Sequence, residues 1–120
     1  MERRKSEYEE QRAVIQWAEV MQGRHPELAL LLHIPNEGKR SFRQMQALKS
    51  IGLRKGVPDL LLPVARGVYH GLWIEMKAKN GKTTKEQEGW MEALRKQGYV
   101  ATVCYGAENA IECLKWYLLD

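Results

Sequence analysis

The stretch GVPDLLLP, residues 56–63, sets an aspartate at the mouth of a run of leucines, and the fold follows from how that run is read. Asp59 is the only aspartate besides Asp120, in a chain that otherwise draws its acids from glutamate. A short apolar run bracketed by prolines fits a buried strand. A second such run, GLWIEMK (71–77), follows the turn-rich VARGVYHG (64–71), so the two read as an antiparallel hairpin with a longer connection.

Upstream, SEYEEQRAVIQWAEVMQG (6–23) carries Ala13, Val14, Trp17, Ala18 and Met21 at helical spacing, with Ser6 as N-cap and Gly23 as stop. LALLLHIP (28–35) reads as a short buried strand and NEGKR (36–40) as a turn. In RSFRQMQALKSIGL (40–53) the apolar Phe42, Met45, Leu48 and Ile51 recur every three residues, which predicts a second helix with a basic open side, ending at Gly52. Downstream, KNGKT (79–83) is a loop and Thr84 with Gln87 forms a capping box opening a helix that closes at Gly98. YVATVCY (99–105) is a fourth strand. AENAIECLKWYLL (107–119) is a last helix with Ala107, Ala110, Ile111, Leu114 and Leu118 on one face. The predicted fold is α/β, order α-β-α-β-β-α-β-α, helices on a mixed sheet, in one domain over residues 1–120.

The 19 Lys and Arg against 15 Asp and Glu give a net charge of +4, which suits a polyanionic partner without identifying one. Cys104 and Cys113 lack CxxC spacing and read as reduced packing residues, excluding a disulfide scaffold or zinc module. No apolar run approaches the ~18 residues of a membrane span, and the first ten residues are charged, so a soluble, cytoplasmic protein is expected. His25 and His70 carry no ligand spacing, and His33 and Asn36, just before a turn, read as a core histidine and a turn asparagine, with an approach to the polyanionic partner as the alternative.

Side chains alternate along a strand, so Glu75 and Lys77 share one face while Ile74 and Met76 take the other. A hairpin pivoting near Val68 brings Asp59 opposite Lys77 and close to Glu75. Two neighbouring carboxylates repel each other, an arrangement relieved by a hard divalent cation, Mg²⁺ or Mn²⁺. Such an ion polarises a phosphodiester and acidifies a bound water, while a lysine orients that water or stabilises charge on phosphorus. Glu-x-Lys alone is a weak signal, since Glu37-Gly38-Lys39 repeats it inside a turn. The bland alternative is a solvated charged sheet edge.

Taken together, NEGKR, GLRKGVPDLLLP and YHGLWIEMKAKNGKTTKEQEGWMEALRKQGY resemble the virus-type replication-repair nuclease domain, VRR-NUC, of the PD-(D/E)xK nuclease superfamily. The likeness runs from the first helix to GYVATVCYGAENAIECL and rests on an ordered set: Gly-Val-Pro-Asp, Glu-x-Lys on the next strand, and a glutamine opening the following helix. It implies a metal-dependent DNA endonuclease in which Asp59, Glu75 and the Met76 backbone carbonyl hold the metal, Lys77 is the catalytic lysine and Gln87 sits beside the site. It also implies an acid from the first helix. Glu10, which continues the stripe of Ala13, Val14 and Trp17, is the choice, and Glu7, one turn earlier, is the competitor. Either acid also suits the positive end of a helix dipole, and Gln87 also suits a plain cap.

Lys39, Arg40, Arg43, Arg54, Lys55, Lys79, Lys82 and Lys85 are the candidate DNA contacts, with solubilising surface charge as the alternative. No base-reading module is visible, which points to recognition of DNA shape. From the resemblance follow a homodimer with two cleavage centres and a preference for branched DNA, in repair, recombination or phage replication. The rivals are a catalytically idle DNA-binding or assembly module on the same fold, and a protein-binding α/β domain presenting Trp116 and Tyr117.

Overall fold

The structure is a computed structural model that describes residues 5–35 and 40–119; Asn36, Lys39 and the Glu37-Gly38-Lys39 turn lie outside the described residues. Helix α1, Glu7–Val20, opens on a reciprocal cap: Ser6 Oγ accepts from the Glu9 amide, and Glu9 Oε1 from the Ser6 amide. Two 3₁₀ turns, Met21–Gly23 and Pro26–Leu30, lead into strand β1, Leu32–His33. Then come α2 (Phe42–Ser50), β2 (Leu60–Leu62), β3 (Leu72–Lys77), α3 (Lys85–Lys96), β4 (Val100–Tyr105) and α4 (Ala107–Tyr117). The sheet runs β1-β2-β3-β4, antiparallel at the first two pairings and parallel at the last. Helices α1 and α4 cover one face, where Leu72, Ile74 and Met76 meet Val14, Ala18, Ala110 and Leu114. The central strand β3 is covered on both faces, so its acid and amine are buried along with its aliphatics, at 2 % exposure for Glu75 and 7 % for Lys77.

Three expectations are corrected. The run 28–35 is only briefly a strand: Pro26 at the start of a 3₁₀ helix winds residues 26–30, and of these only Leu28 is buried. Helix α2 forms, but its three-residue apolar spacing does not mark a buried stripe. Phe42 and the following Ile51 are 80 % and 82 % exposed, and no residue of the helix is buried. The hairpin register also differs. Leu60 pairs with Ile74 and Leu62 with Leu72, so continuing the ladder sets Asp59 across from Glu75 rather than Lys77. The turn closes at Gly67, with φ +55, inside a tight Arg66–Tyr69 bridge, and a kink where the Val64 amide donates to Leu62 O takes up a further residue. The displacement is two residues, an even number, so Asp59 keeps its face.

Cys104 on β4 and Cys113 on α4 are free, and the influence of each thiol on the other pushes the Cys104 thiol up and draws the Cys113 thiol down. Among the described residues no helix is long and apolar enough to cross a membrane.

Gly56 shapes the approach to Asp59. Its φ is +93, and a Cβ there would stand 2.7 Å from the backbone carbonyl carbon of Glu86, beside Gln87. Only glycine lets the loop press this closely on α3. Gly56→Ala is expected to lower stability by roughly 2–3 kcal/mol in urea unfolding, because it adds a steric clash to a strained φ.

Candidate active site

The site forms where β2 begins and β3 ends. Asp59 lies one residue ahead of β2, and its Oδ2 accepts a 2.8 Å hydrogen bond from the Met76 amide, so the side chain takes a place in the ladder that a backbone carbonyl would otherwise fill. This fixes the carboxylate against Glu75. On the other side of Glu75, Oε2 lies 3.6 Å from Lys77 Nζ and accepts from Gln87 Nε2 at 3.1 Å. Gln87 is also the N3 residue of the α3 cap. Its Oε1 accepts from the Thr84 amide at 2.9 Å, while its own amide donates to Thr84 Oγ1 at 3.1 Å. The two readings of Gln87 therefore coexist, because a glutamine amide has one end for the cap and one for the acid.

Glu75 is the most perturbed acid of the site. Burial pushes its carboxyl up to about 8, helped by the Asp59 charge, opposed by Lys77, and raised further by a hydrogen bond with Asp59 and the charge of Glu7. Near neutral pH the metal-free fold thus favours the protonated form of Glu75. Among the described residues no three acidic, histidine or cysteine side chains converge tightly enough to hold a metal by themselves. Asp59 and Glu75 make a two-carboxylate donor pair. That set fits magnesium, which binds through one or two carboxylates and completes its shell with water, carbonyl and phosphate oxygens.

The two first-helix acids are engaged differently: Glu10 Oε1 accepts a 3.0 Å hydrogen bond from the Ala107 amide. Helix α4 needs that outside cap because its N-cap is Gly106, at φ +86, which has no side chain to offer. Glu7, one turn nearer the N-terminus, is the acid whose charge bears on Glu75. We expect Glu7→Gln to lower the activity of the site roughly tenfold or more without moving the melting temperature. Glu10→Gln should instead cost about 1 kcal/mol of stability in thermal melts with activity largely kept.

His33 is exposed rather than in the core, and its Nδ1 lies 3.0 Å from Gln11 Nε2 and 3.2 Å from Asp59 O. Together with the Ile34 amide, which donates to the same carbonyl at 2.8 Å, it steadies the residue that carries the carboxylate. Sequence reasoning passed over this pair; the one available signal was Gln11 standing four residues after Glu7, on the same side of α1.

Arg40, Arg43, Arg54, Lys55, Lys79, Lys82 and Lys85 are all exposed, in two groups: α2 with its flanks, and the loop from β3 into α3. Lys79 lines an open groove of about 750 Å³ with Lys5 and Tyr105, next to the strand end that carries Lys77. Lys39 lies outside the described residues.

A mixed sheet flanked by helices, with a Pro-Asp at one strand entrance and Glu-x-Lys on its neighbour, defines a nuclease-type fold. The VRR-NUC domain matches residues 1–108, and the chain belongs to that family. A solved structure described as a VRR_NUC domain protein is similar at a TM-score of 0.85 and 32% identity, over 98% of this chain and 92% of the other. No curated protein matches significantly.

Proposed function

We propose that the chain is a Mg²⁺- or Mn²⁺-dependent DNA endonuclease that prefers branched DNA, acts as a homodimer in the cytoplasm, and serves repair, recombination or phage replication. The observation that carries this reading is the buried Glu75, held by Gln87 and Lys77 and set against Asp59. Such a cluster costs folding free energy and has no packing role that an apolar pair would not fill better.

Asp59, Glu75 and the Met76 carbonyl would hold the ion, and Glu7 would add negative charge at its edge. When bound, the ion supplies Lewis-acid polarisation of the phosphodiester and a water of lowered pKa. Lys77, almost wholly buried, presents its ammonium to the same point and stabilises negative charge developing on the phosphate oxygens. Gln87 fixes the rotamer of Glu75 and holds it toward Asp59. The Asp59 carboxylate is oriented by the Met76 amide before substrate arrives, so little ordering remains to be done on binding. The exposed cations of the β3–α3 loop and of α2 supply phosphate contacts that carry no sequence information.

The test is incubation with linear, supercoiled, flapped and four-way DNA in Mg²⁺, Mn²⁺ or chelator, beside Asp59→Asn. Cleavage that needs metal, is lost in the variant and is strongest on branched DNA is the expected result. Cleavage indifferent to chelator would overturn the mechanism. Binding without cleavage under every condition would make the chain an idle DNA-binding module. Light scattering at working concentration tests the dimer.

A further inference from the structure

Helix α2 has no buried residue, yet its start is firmly built. Ser41 Oγ accepts from the Gln44 amide at 3.1 Å, and Gln44 Oε1 accepts from the Ser41 amide at 3.0 Å. That reciprocal cap fixes Phe42, the one phenylalanine of the chain, at the first helical position with 80 % of its surface in solvent. A capped helix end holding a bare aromatic is ordered without being covered.

The charge around it is one-sided. Residues 40–58 carry Arg40, Arg43, Lys49, Arg54 and Lys55 and no acid, so this segment stands at +5 while the whole chain is +4, leaving −1 for everything else. Lys49 falls on the Phe42 side of the helix, seven residues on. Two copies of such a face repel each other, whereas a polyanion is attracted to it. The segment also ends at the site, since Gly56 rests against Glu86 and Asp59 follows three residues later. In an intact duplex the base faces are already stacked, so an aromatic side chain gains most at a base that has lost its neighbour.

We propose that Phe42, framed by Arg40 and Arg43, is a stacking post for an unpaired base at the branch point of a DNA substrate. This rests on the reading of the chain as a DNA-acting nuclease and supplies a reason for its choice of branched DNA. Stacking gives the selectivity and the arginines hold the flanking phosphates.

Binding is measured by fluorescence anisotropy in chelator, so that no cleavage is needed, on flapped DNA carrying a fluorescent adenine analogue at the first unpaired position beside the branch, and on intact duplex DNA. Wild-type protein should quench the analogue at the branch. Phe42→Ala should lose the quench and bind branched DNA roughly tenfold more weakly, with intact duplex within about twofold. Phe42→Trp should keep both. The proposal is overturned if Phe42→Ala binds branched DNA as well as wild type, or weakens both DNAs equally. It is also overturned if the substitution turns a dimer into a monomer by light scattering, which would give the helix to a protein interface. Quenching by a protein that cleaves nothing in metal would leave the stacking post standing and remove the nuclease reading, and cleavage without quenching would do the reverse.

Discussion

Glu75→Gln should abolish DNA cleavage, by at least roughly 10³-fold, and at the same time make the metal-free protein more stable. The two effects have one cause. Glu75 is 2 % exposed and its carboxyl is pushed up to about 8, so its charged form is disfavoured in the fold. Because the folded value lies above the unfolded one, folding takes up a proton. The stability from Glu75 is complete below about pH 4.5 and is lost as pH rises toward 8, by at most about 5 kcal/mol. Glutamine imitates the protonated acid: it can donate toward Asp59 and still accept from Gln87. Metal-free Glu75→Gln at pH 8 is therefore expected to melt roughly 5 °C higher than wild type and to lose most of that advantage near pH 5. Thermal melts across pH in chelator check this. A variant that melts lower than wild type at pH 8 would show that Glu75 is held there by packing rather than for an ion.

Lys77→Met should reduce cleavage by roughly 10²–10⁴-fold while leaving metal binding measurable, because the lysine lies beside the donor pair and contributes no oxygen to it. Methionine keeps the aliphatic stem that fills this nearly closed position, so the fold should persist. Without the ammonium, the charge that favours ionised Glu75 is gone, and metal affinity should weaken most below neutral pH, where the proton is hardest to displace. Titration calorimetry with Mn²⁺ separates this variant from Glu75→Gln, in which binding itself should be lost. If Lys77→Met binds metal and cleaves normally, the lysine serves only to neutralise its neighbour.

Much of this site was legible in the sequence because strands repeat every two residues. Glu75 and Lys77 had to share a face, and the two-residue error in register left Asp59 on that same face. Gln87 was legible twice over, as a cap and as an inward residue, and the structure uses both ends of its amide. The first-helix acid was not, since Glu7 and Glu10 lie one turn apart and periodicity cannot separate them. What separates them is Gly106, 96 residues beyond Glu10, whose missing side chain leaves α4 in need of a distant cap. Helix α2 misled for a related reason. Its spacing is that of a packed helix, but packing needs a partner surface, and no periodicity within the segment reports whether one exists.

The hydrogen bond from Ala107 to Glu10 spans 97 positions of the polypeptide. During synthesis at about 5–20 residues per second, the first helix waits roughly 5–20 s for the amide that will seat it. Glu7, one turn along the same helix, waits with it. A nascent chain still on the ribosome thus carries a first helix that stays without this cap contact until the last helix has emerged.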